Sequence, residues 1–422
     1  MMADTNSPGD ADLERMWPPD EARAKVRSLT TLLAVEQVSL RAATGRFLAA
    51  DISAVEDHPP FAAATMDGYA VMAEDASPWR EVIAEQMAGG VVTATVTEGT
   101  AVRITTGAPI PRGANAVVPV EETEAADDHV VIHQERTVPG ANIRPIGSDL
   151  RRGDPVLRAG TRLGAAEIGI LAGQGLVPVA VRRRPRVSIL STGDELVEPD
   201  RSLGPGQVRD SNRFSLEAAV SETGAETVWS GRAPDILADL RHVLTDRIAA
   251  SDVVITTGGV SMGQLDLVKP LLSELATVHF RRVFLKPGKP LNFATTEATL
   301  IFGVPGNPVS ALVAFELFIR PALLMMAGAG DIDRPRAKVQ LDAPVTAGDR
   351  IEFQRAMVFT DTTGQLHASS TGAQQSSRLS SFLGANALLI IVPRAEPYAA
   401  GERVQALLLG APAGTASRLA VQ

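Results

Sequence analysis

Val253-Val254-Ile255-Thr256-Thr257-Gly258-Gly259-Val260-Ser261-Met262-Gly263 is the stretch on which the fold turns. Its β-branched start spells a short buried strand, its glycines a turn at the strand end. A helical pattern follows over Leu265 to Leu275. A strand that runs through a Gly-rich turn into a helix is the unit of a parallel α/β sheet, whose ligand loops gather at the strand carboxyl ends. The same alternation extends outward from Arg186 to Gly330. Strands are expected at Val187–Leu190, Thr227–Trp229 and Leu300–Phe302. Helices are expected at Ile236–Ile248, from Pro308 onward, and up to Glu222 with Asn212 as its cap.

On either side the text changes. Glu81–Ala84, Ala101–Ile104, Ala116–Val118 and His129–His133 are short, β-branched and broken by Gly or Pro, which predicts a small β-rich domain. Lys338–Leu341, Ile351–Phe359, Ala387–Val392 and Arg403–Leu409 predict a closing β-barrel or sandwich. Helical spacing recurs at Glu21–Leu33, Ser39–Thr44 and Gly164–Gly173. The expected architecture is multidomain α/β plus β. Residues 1–20 form a mobile leader, 21–52 with 147–182 a mixed, discontinuous N-terminal domain, and 53–146 a β-rich insertion. Residues 183–330 form a three-layer α/β domain with a parallel-type sheet, and 331–422 a C-terminal β-barrel.

The chemistry is expected at the strand ends. Thr257, Gly258, Gly259 and Ser261 offer backbone N–H groups at a helix start, a setting that favours an anionic group. The spacing matches neither a P-loop nor a dinucleotide fingerprint. Asp266, just beyond, and Ser191-Thr192-Gly193-Asp194-Glu195, at another strand end, supply carboxylates suited to Mg²⁺ beside a phosphate. Lys286-Pro287-Gly288-Lys289-Pro290 sets two cations on a stiff turn. Gly303 to Ser310 is a third strand-to-helix loop, and Ala64 to Val71 and Thr105 to Pro111 are turn-rich.

Composition excludes several classes. Of 422 residues, 40 are Lys or Arg and 49 Asp or Glu, a net charge of −9 that provides no field for nucleic acid. The absence of cysteine removes disulfides, thiolate metal sites and cysteine nucleophiles. Gly-x-Ser-x-Gly is missing, and no Ser-His-Asp arrangement is recognisable. His129 and His133 share a strand face without a third ligand. Residues 1–20 carry neither a basic n-region nor an apolar h-region, and Glu316, Arg320 and Pro321 interrupt the apolar run from Val309 to Ala327. A soluble cytoplasmic chain without a membrane partner is the expectation.

Six motifs in order carry a resemblance: Met66-Asp67-Gly68-Tyr69-Ala70, Thr106-Gly107-Ala108-Pro109, Ser191 to Glu195, Thr257-Gly258-Gly259-Val260-Ser261, Lys286 to Pro290, and Gly306-Asn307-Pro308. Together, from about Glu21 to about Leu409, the chain resembles the molybdopterin molybdenumtransferases, the MoeA and gephyrin E-domain family. The resemblance implies a Mg²⁺-dependent enzyme that turns adenylylated molybdopterin and molybdate into molybdenum cofactor and AMP. It implies a homodimer of elongated four-domain subunits with active sites shared between subunits. It assigns Lys286, Lys289 and Ser310 to molybdate or anionic substrate, with Arg355 and Ser376 adding contacts from the last domain. Glu195 and Asp266 would hold Mg²⁺ or orient the attacking group, and Asp67, Thr106 and Asp149 would reach the site from the partner subunit. Where the family pattern has an acidic pair after Arg232, this chain has Ala233-Pro234-Asp235, which leaves Asp235 as a substitute. Partners so implied are a molybdopterin adenylyltransferase and molybdoenzyme apoproteins. A gephyrin-like scaffold and an adenylyltransferase of the preceding step are the alternative classes.

Overall fold

The computed structural model describes residues 13, 15–90, 93–133, 136–259 and 267–414. They form two compact units, one of residues up to 49, 160–163 and 179 onward, the other of residues 50–159 and 164–178.

The first unit is built on a seven-stranded sheet. Its strands are β1 (Met16–Trp17), β2 (Arg186–Thr192), β3 (Glu226–Ala233), β4 (Val253–Thr257), β5 (Thr277–Val283), β6 (Pro290–Thr295) and β7 (Leu300–Val304), in the spatial order β1-β5-β6-β7-β4-β2-β3. Strands β7, β4, β2 and β3 are parallel to their neighbours within that run, as the strand–helix alternation predicts. The sheet is nevertheless mixed, because β6 runs antiparallel to both β5 and β7. Sequence reading missed β5 and β6. No helix separates them, so the alternation that signals a parallel sheet breaks there.

The strands are apolar on both faces because helices cover both. Pro19–Leu29 (α1), Ser211–Glu222 (α2), Pro308–Ala314 (α5) and Arg320–Met326 (α6) pack with Val187, Ile189, Ile255, Phe293 and Phe302 on one side. Leu237–Ala250 (α3) and Val268–Leu275 (α4) pack with Leu190, Val254 and Ile301 on the other. Across β5, β6 and β7 the rings of Phe280, Phe293 and Phe302 stack with centroids 5.5 and 5.0 Å apart. Each such buried ring stabilises the sheet by about 1.5–3 kcal/mol. Residues Pro308–Met326 are long and apolar enough to cross a membrane, but 78% of that stretch is buried inside the protein. Its one acidic residue, Glu316, is paired with Arg334 at 2.8 Å.

Of the expected leader over residues 1–20, the described residues 13 and 15–20 belong to the first unit, on two observations. Met16–Trp17 pair in parallel with Arg282–Val283, and Leu13 is buried against the sheet. The reason is that Trp17 stacks on Phe280, so its apolar surface leaves water. The helix α2 is capped by Asp210, whose carboxylate accepts from the Arg213 N–H at 3.2 Å, and not by Asn212, which lies one residue inside it.

Strands β8 (Arg336–Leu341), β9 (Ile351–Thr360), β10 (Leu366–Ser370), β11 (Ala387–Ile391) and β12 (Arg403–Leu408) close on themselves through β9–β11 pairing, a five-stranded barrel. The short stretch Leu285–Lys286 adds to the barrel edge beside Ile351–Glu352.

The second unit carries a six-stranded sheet from residues 68–71, 79–86, 100–104, 116–119, 123–126 and 129–132. Its inner faces are small and β-branched, led by Ala70, Val102, Val117 and Val118. Ala165–Gly173 is its longest helix among the described residues.

Candidate active site at the carboxyl edge of the sheet

Strand registers set the site. Thr192 is level with Ala233, Ser191 with Thr257, and Thr257 with Val304. The loops 193–198, 234–236, 258–259 and 305–307 therefore leave one edge of the sheet together, at its carboxyl end. Because β6 is antiparallel, the turn that precedes it, Lys286 to Pro290, lies at that same edge. A cleft of about 340 Å³ opens there, lined among others by Ser191, Thr192, Glu195, Asn212, Thr257 and Asn307.

The diglycine turn forms one wall. Gly258 has φ +88°, and a Cβ on it would stand 2.4 Å from the Thr192 carbonyl oxygen, so only glycine fits. Asn212, from α2, ties this wall to the next. Its Nδ2 donates to Thr257 Oγ1 and to the Gly306 carbonyl, both at 2.8 Å. Sequence reading assigned Asn212 a cap and missed this role. The run Asp210-Ser211-Asn212 offers three capping residues in a row, and only the backbone decides which of them caps. Ser191 Oγ and Thr192 Oγ1 are buried at the cleft and find no partner among the described residues. Buried hydroxyls of this kind ordinarily have partners, so a ligand or solvent group is their expected complement.

The acidic wall comes from two loops. Asp194 Oδ1 accepts from the Asp235 N–H at 3.3 Å, which draws the loop after β3 onto the Asp194–Glu195 loop. Partial burial, with the charges of Asp194 and Glu195 close by, raises the pKa of the Asp235 carboxyl. Glu198 holds the loop's far side through Arg213 at 2.5 Å and Arg232 at 3.6 Å. Asp194, Glu195 and Asp235 thus share this wall, but no group of three carboxylate or imidazole side chains among the described residues is placed to hold a metal ion. Asp266 and Ser261 lie outside the described residues.

The two lysines of the turn differ. Lys286 Nζ is bound to the buried Glu352 carboxylate at 2.9 Å, so its charge belongs to the barrel contact. Lys289 is exposed and forms no ion pair among the described residues. Gly288, at φ +113°, reverses the chain between them and lies against α5, where a Cβ would stand 3.7 Å from the Ser310 carbonyl oxygen. Ser310 itself is buried in the first turn of α5. The Ser376 carbonyl accepts from the Val309 N–H at 3.1 Å, which brings a barrel loop onto that helix start.

Arg355 is held within the barrel. It is 1% exposed, its Nε donates to Ser381 Oγ at 3.0 Å, and its Nη2 reaches the Gln375 carbonyl at 3.4 Å. Burial lowers its pKa to about 10, which leaves it charged at neutral pH. Through these bonds it braces the 375–381 loop, a role apart from the ligand contact expected of it. The sequence could not separate the two roles, because an Arg on a strand reads alike whether it faces in or out.

In the second unit Asp67 and Thr106, 39 residues apart, are locked together. One carboxylate oxygen accepts from the Thr106 N–H at 2.6 Å and from its hydroxyl at 2.8 Å. These bonds lower the Asp67 pKa, with a smaller contribution from Arg103. Asp149 is exposed, and its backbone N–H donates to the His58 carbonyl at 3.0 Å. His129 bonds Asp128 at 2.6 Å and His133 lies 3.8 Å from Glu124.

Three family models cover the chain in order: the MoeA N-terminal region (domain I and II) over residues 17–175, a probable molybdopterin-binding domain over 188–325, and the MoeA C-terminal region (domain IV) over 338–409. A molybdopterin molybdenumtransferase of Haemophilus influenzae is 34% identical, over 91% of this chain and 96% of its own length. The chain belongs to the molybdopterin molybdenumtransferase family. Its fold matches the crystal structure of the molybdopterin biosynthesis MoeA protein from Pyrococcus horikoshii with a TM-score of 0.78 and 31% identity, covering 93% of this chain and all of that one. A protein named gephyrin from Dictyostelium discoideum is 38% identical over 89% of this chain, which spans 60% of that relative's length. Membership of the molybdopterin molybdenumtransferase family makes this a transferase of molybdenum cofactor biosynthesis. The central family model falls on β2 to α6, the segment that carries the cleft.

Proposed function

We propose that the chain inserts molybdenum into molybdopterin, taking adenylylated molybdopterin and molybdate to molybdenum cofactor and AMP. One observation carries the reading: an open carboxylate loop pair, a diglycine turn and Lys289, which has no ion pair among the described residues, leave one edge of one sheet. The diglycine turn and the Asn212-held loop give a phosphate group backbone N–H donors in a shaped wall. Lys289, on its stiff turn, supplies the charge for a dianionic oxyanion. Glu195 and Asp235, with Asp266, are the residues to hold Mg²⁺, which when bound would withdraw charge from the adenylyl phosphate as AMP leaves. Ser310 and the Ser376 loop would border the molybdate side, with Arg355 bracing that loop from within.

Two subunits would complete each site, with Asp67, Thr106 and Asp149 contributed by the partner. The reaction is placed in the cytoplasm, after an adenylyltransferase that prepares the substrate and before apoproteins that accept the cofactor. The test is direct. Purified chain, adenylylated molybdopterin, molybdate and Mg²⁺ should release AMP and yield a cofactor that reconstitutes a molybdoenzyme. Release of AMP without cofactor, or neither product at saturating molybdate, would overturn the reading.

A further inference from the structure

Asn292 of β6 is 1% exposed, and both its side-chain oxygen and nitrogen lack a partner among the described residues. Thr256 of β4 is fully buried, and its hydroxyl is likewise unpaired. The registers put them in one row. Asn292 is level with Gly303 of β7, and Gly303 with Thr256. Side chains alternate along strands, and Val254, Ile301 and Ala294, two residues away from each, all face the α3–α4 layer. Asn292 and Thr256 therefore point to that same face, with the side-chain-free Gly303 between them.

Two strand spacings separate their Cα atoms by roughly 10 Å. Subtracting the reach of an amide and a hydroxyl leaves a gap that one molecule bridges at hydrogen-bond distance. Thr192 continues the seam: it is two residues past Leu190, which is level with Thr256, so its unpaired hydroxyl lies on the same face, at the cleft. Three polar groups left dry in an apolar layer would be a heavy penalty, and native interiors resolve it with ordered water.

We infer that Asn292 and Thr256 hold an ordered water across Gly303, in a polar seam that opens to the cleft at Thr192. The water accepts from or donates to the Asn292 amide and the Thr256 hydroxyl, so β6 and β4, the strands on either side of β7, are tied through it. This rests on the strand registers and the unpaired groups alone, independent of the reaction proposed above.

A double-mutant cycle with Asn292→Leu and Thr256→Val tests it, since both swaps nearly conserve volume. Each single variant strands the water and the other polar group, so each should lower the thermal midpoint. The double variant leaves the gap dry and apolar, and should recover most of that loss, a coupling that residues without direct contact otherwise do not show. Midpoints that rise in both single variants and add in the double would mean that the groups were simply unpaired, and would overturn the inference. If either single variant fails to fold, a crystal structure of the wild-type chain at high resolution decides. Water density within hydrogen-bond distance of both side chains supports the site, and a dry gap refutes it.

Discussion

Asp235 is a side chain whose charge is costly to the fold. Its pKa is raised by partial burial and by Asp194 and Glu195. A carboxyl whose folded pKa lies above its unfolded value loses stability for the fold as pH rises from the ordinary carboxylate range through the raised value. In Mg²⁺-free buffer at neutral pH, Asp235→Asn should therefore melt above wild type, and the difference should vanish below about pH 4. Adding Mg²⁺ should raise the wild-type midpoint more than the variant's. A lower midpoint for Asp235→Asn without metal would remove the case for mutual repulsion. Glu195→Gln should lower turnover on the order of 10²-fold with little change in substrate binding, as expected if a cation-holding carboxylate acts in the transition state. Lys289 and Arg355 make a contrasting pair. Lys289→Ala should weaken molybdate use at unchanged thermal stability, with partial rescue by Arg, whose planar fork replaces a point charge poorly. Arg355→Ala should instead lower stability by about 1–3 kcal/mol, because Ser381 and the Gln375 carbonyl lose a buried donor. Unfolding curves and molybdate titrations of both variants separate these roles.

At the scale of elements, the site depends on loops held from behind. Asn212 belongs to α2 yet fastens the ends of β4 and β7 through Thr257 and Gly306. Asn212→Ala removes one buried and one part-buried bond, and leaves the Gly306 carbonyl without this donor and Thr257 Oγ1 with only its 3.5 Å bond to the Pro305 carbonyl, for a cost of about 1–3 kcal/mol. It should also raise KM for the anionic substrate more than it lowers kcat, since the loops it holds bind rather than react. An unchanged KM with the same stability loss would make Asn212 a packing residue only. The antiparallel course of β6 is the other decisive element. Had β6 run parallel to β7, the Lys286–Pro290 turn would lie at the opposite edge, away from Glu195 and Gly258.

Across the whole molecule, the proposed shared site calls on Asp67 and Thr106, which belong to the second unit, and on Lys289, which belongs to the first. Inactive Asp67→Asn and Lys289→Ala subunits, mixed and allowed to exchange, should regain part of the activity, because one site of each hybrid dimer is intact. Proven heterodimers without activity would refute sharing between subunits. The Asp67–Thr106 lock predicts that Thr106→Val impairs the enzyme less than Asp67→Asn does, since the carboxylate loses the hydroxyl bond and keeps the one from the Thr106 backbone N–H.

The sequence by itself determined the layering and the kind of chemistry. β-branched runs followed by Gly-rich turns and helical spacing admit few arrangements, so the α/β core, the β-rich insertion and the terminal barrel were legible, as were the acidic, glycine and lysine loops. These are local properties, written in neighbouring residues. Three matters were decided only by tertiary structure. The register of β6 against β7 brought the lysine turn to the carboxyl edge. Burial turned Arg355 into a brace and paired Lys286 with Glu352, a partner 66 residues away. The fold also chose Asp210 over Asn212 as the cap, and so freed Asn212 to tie two strand ends together. Each depends on which strands lie side by side, a long-range choice made by packing the whole core that no window of the sequence contains.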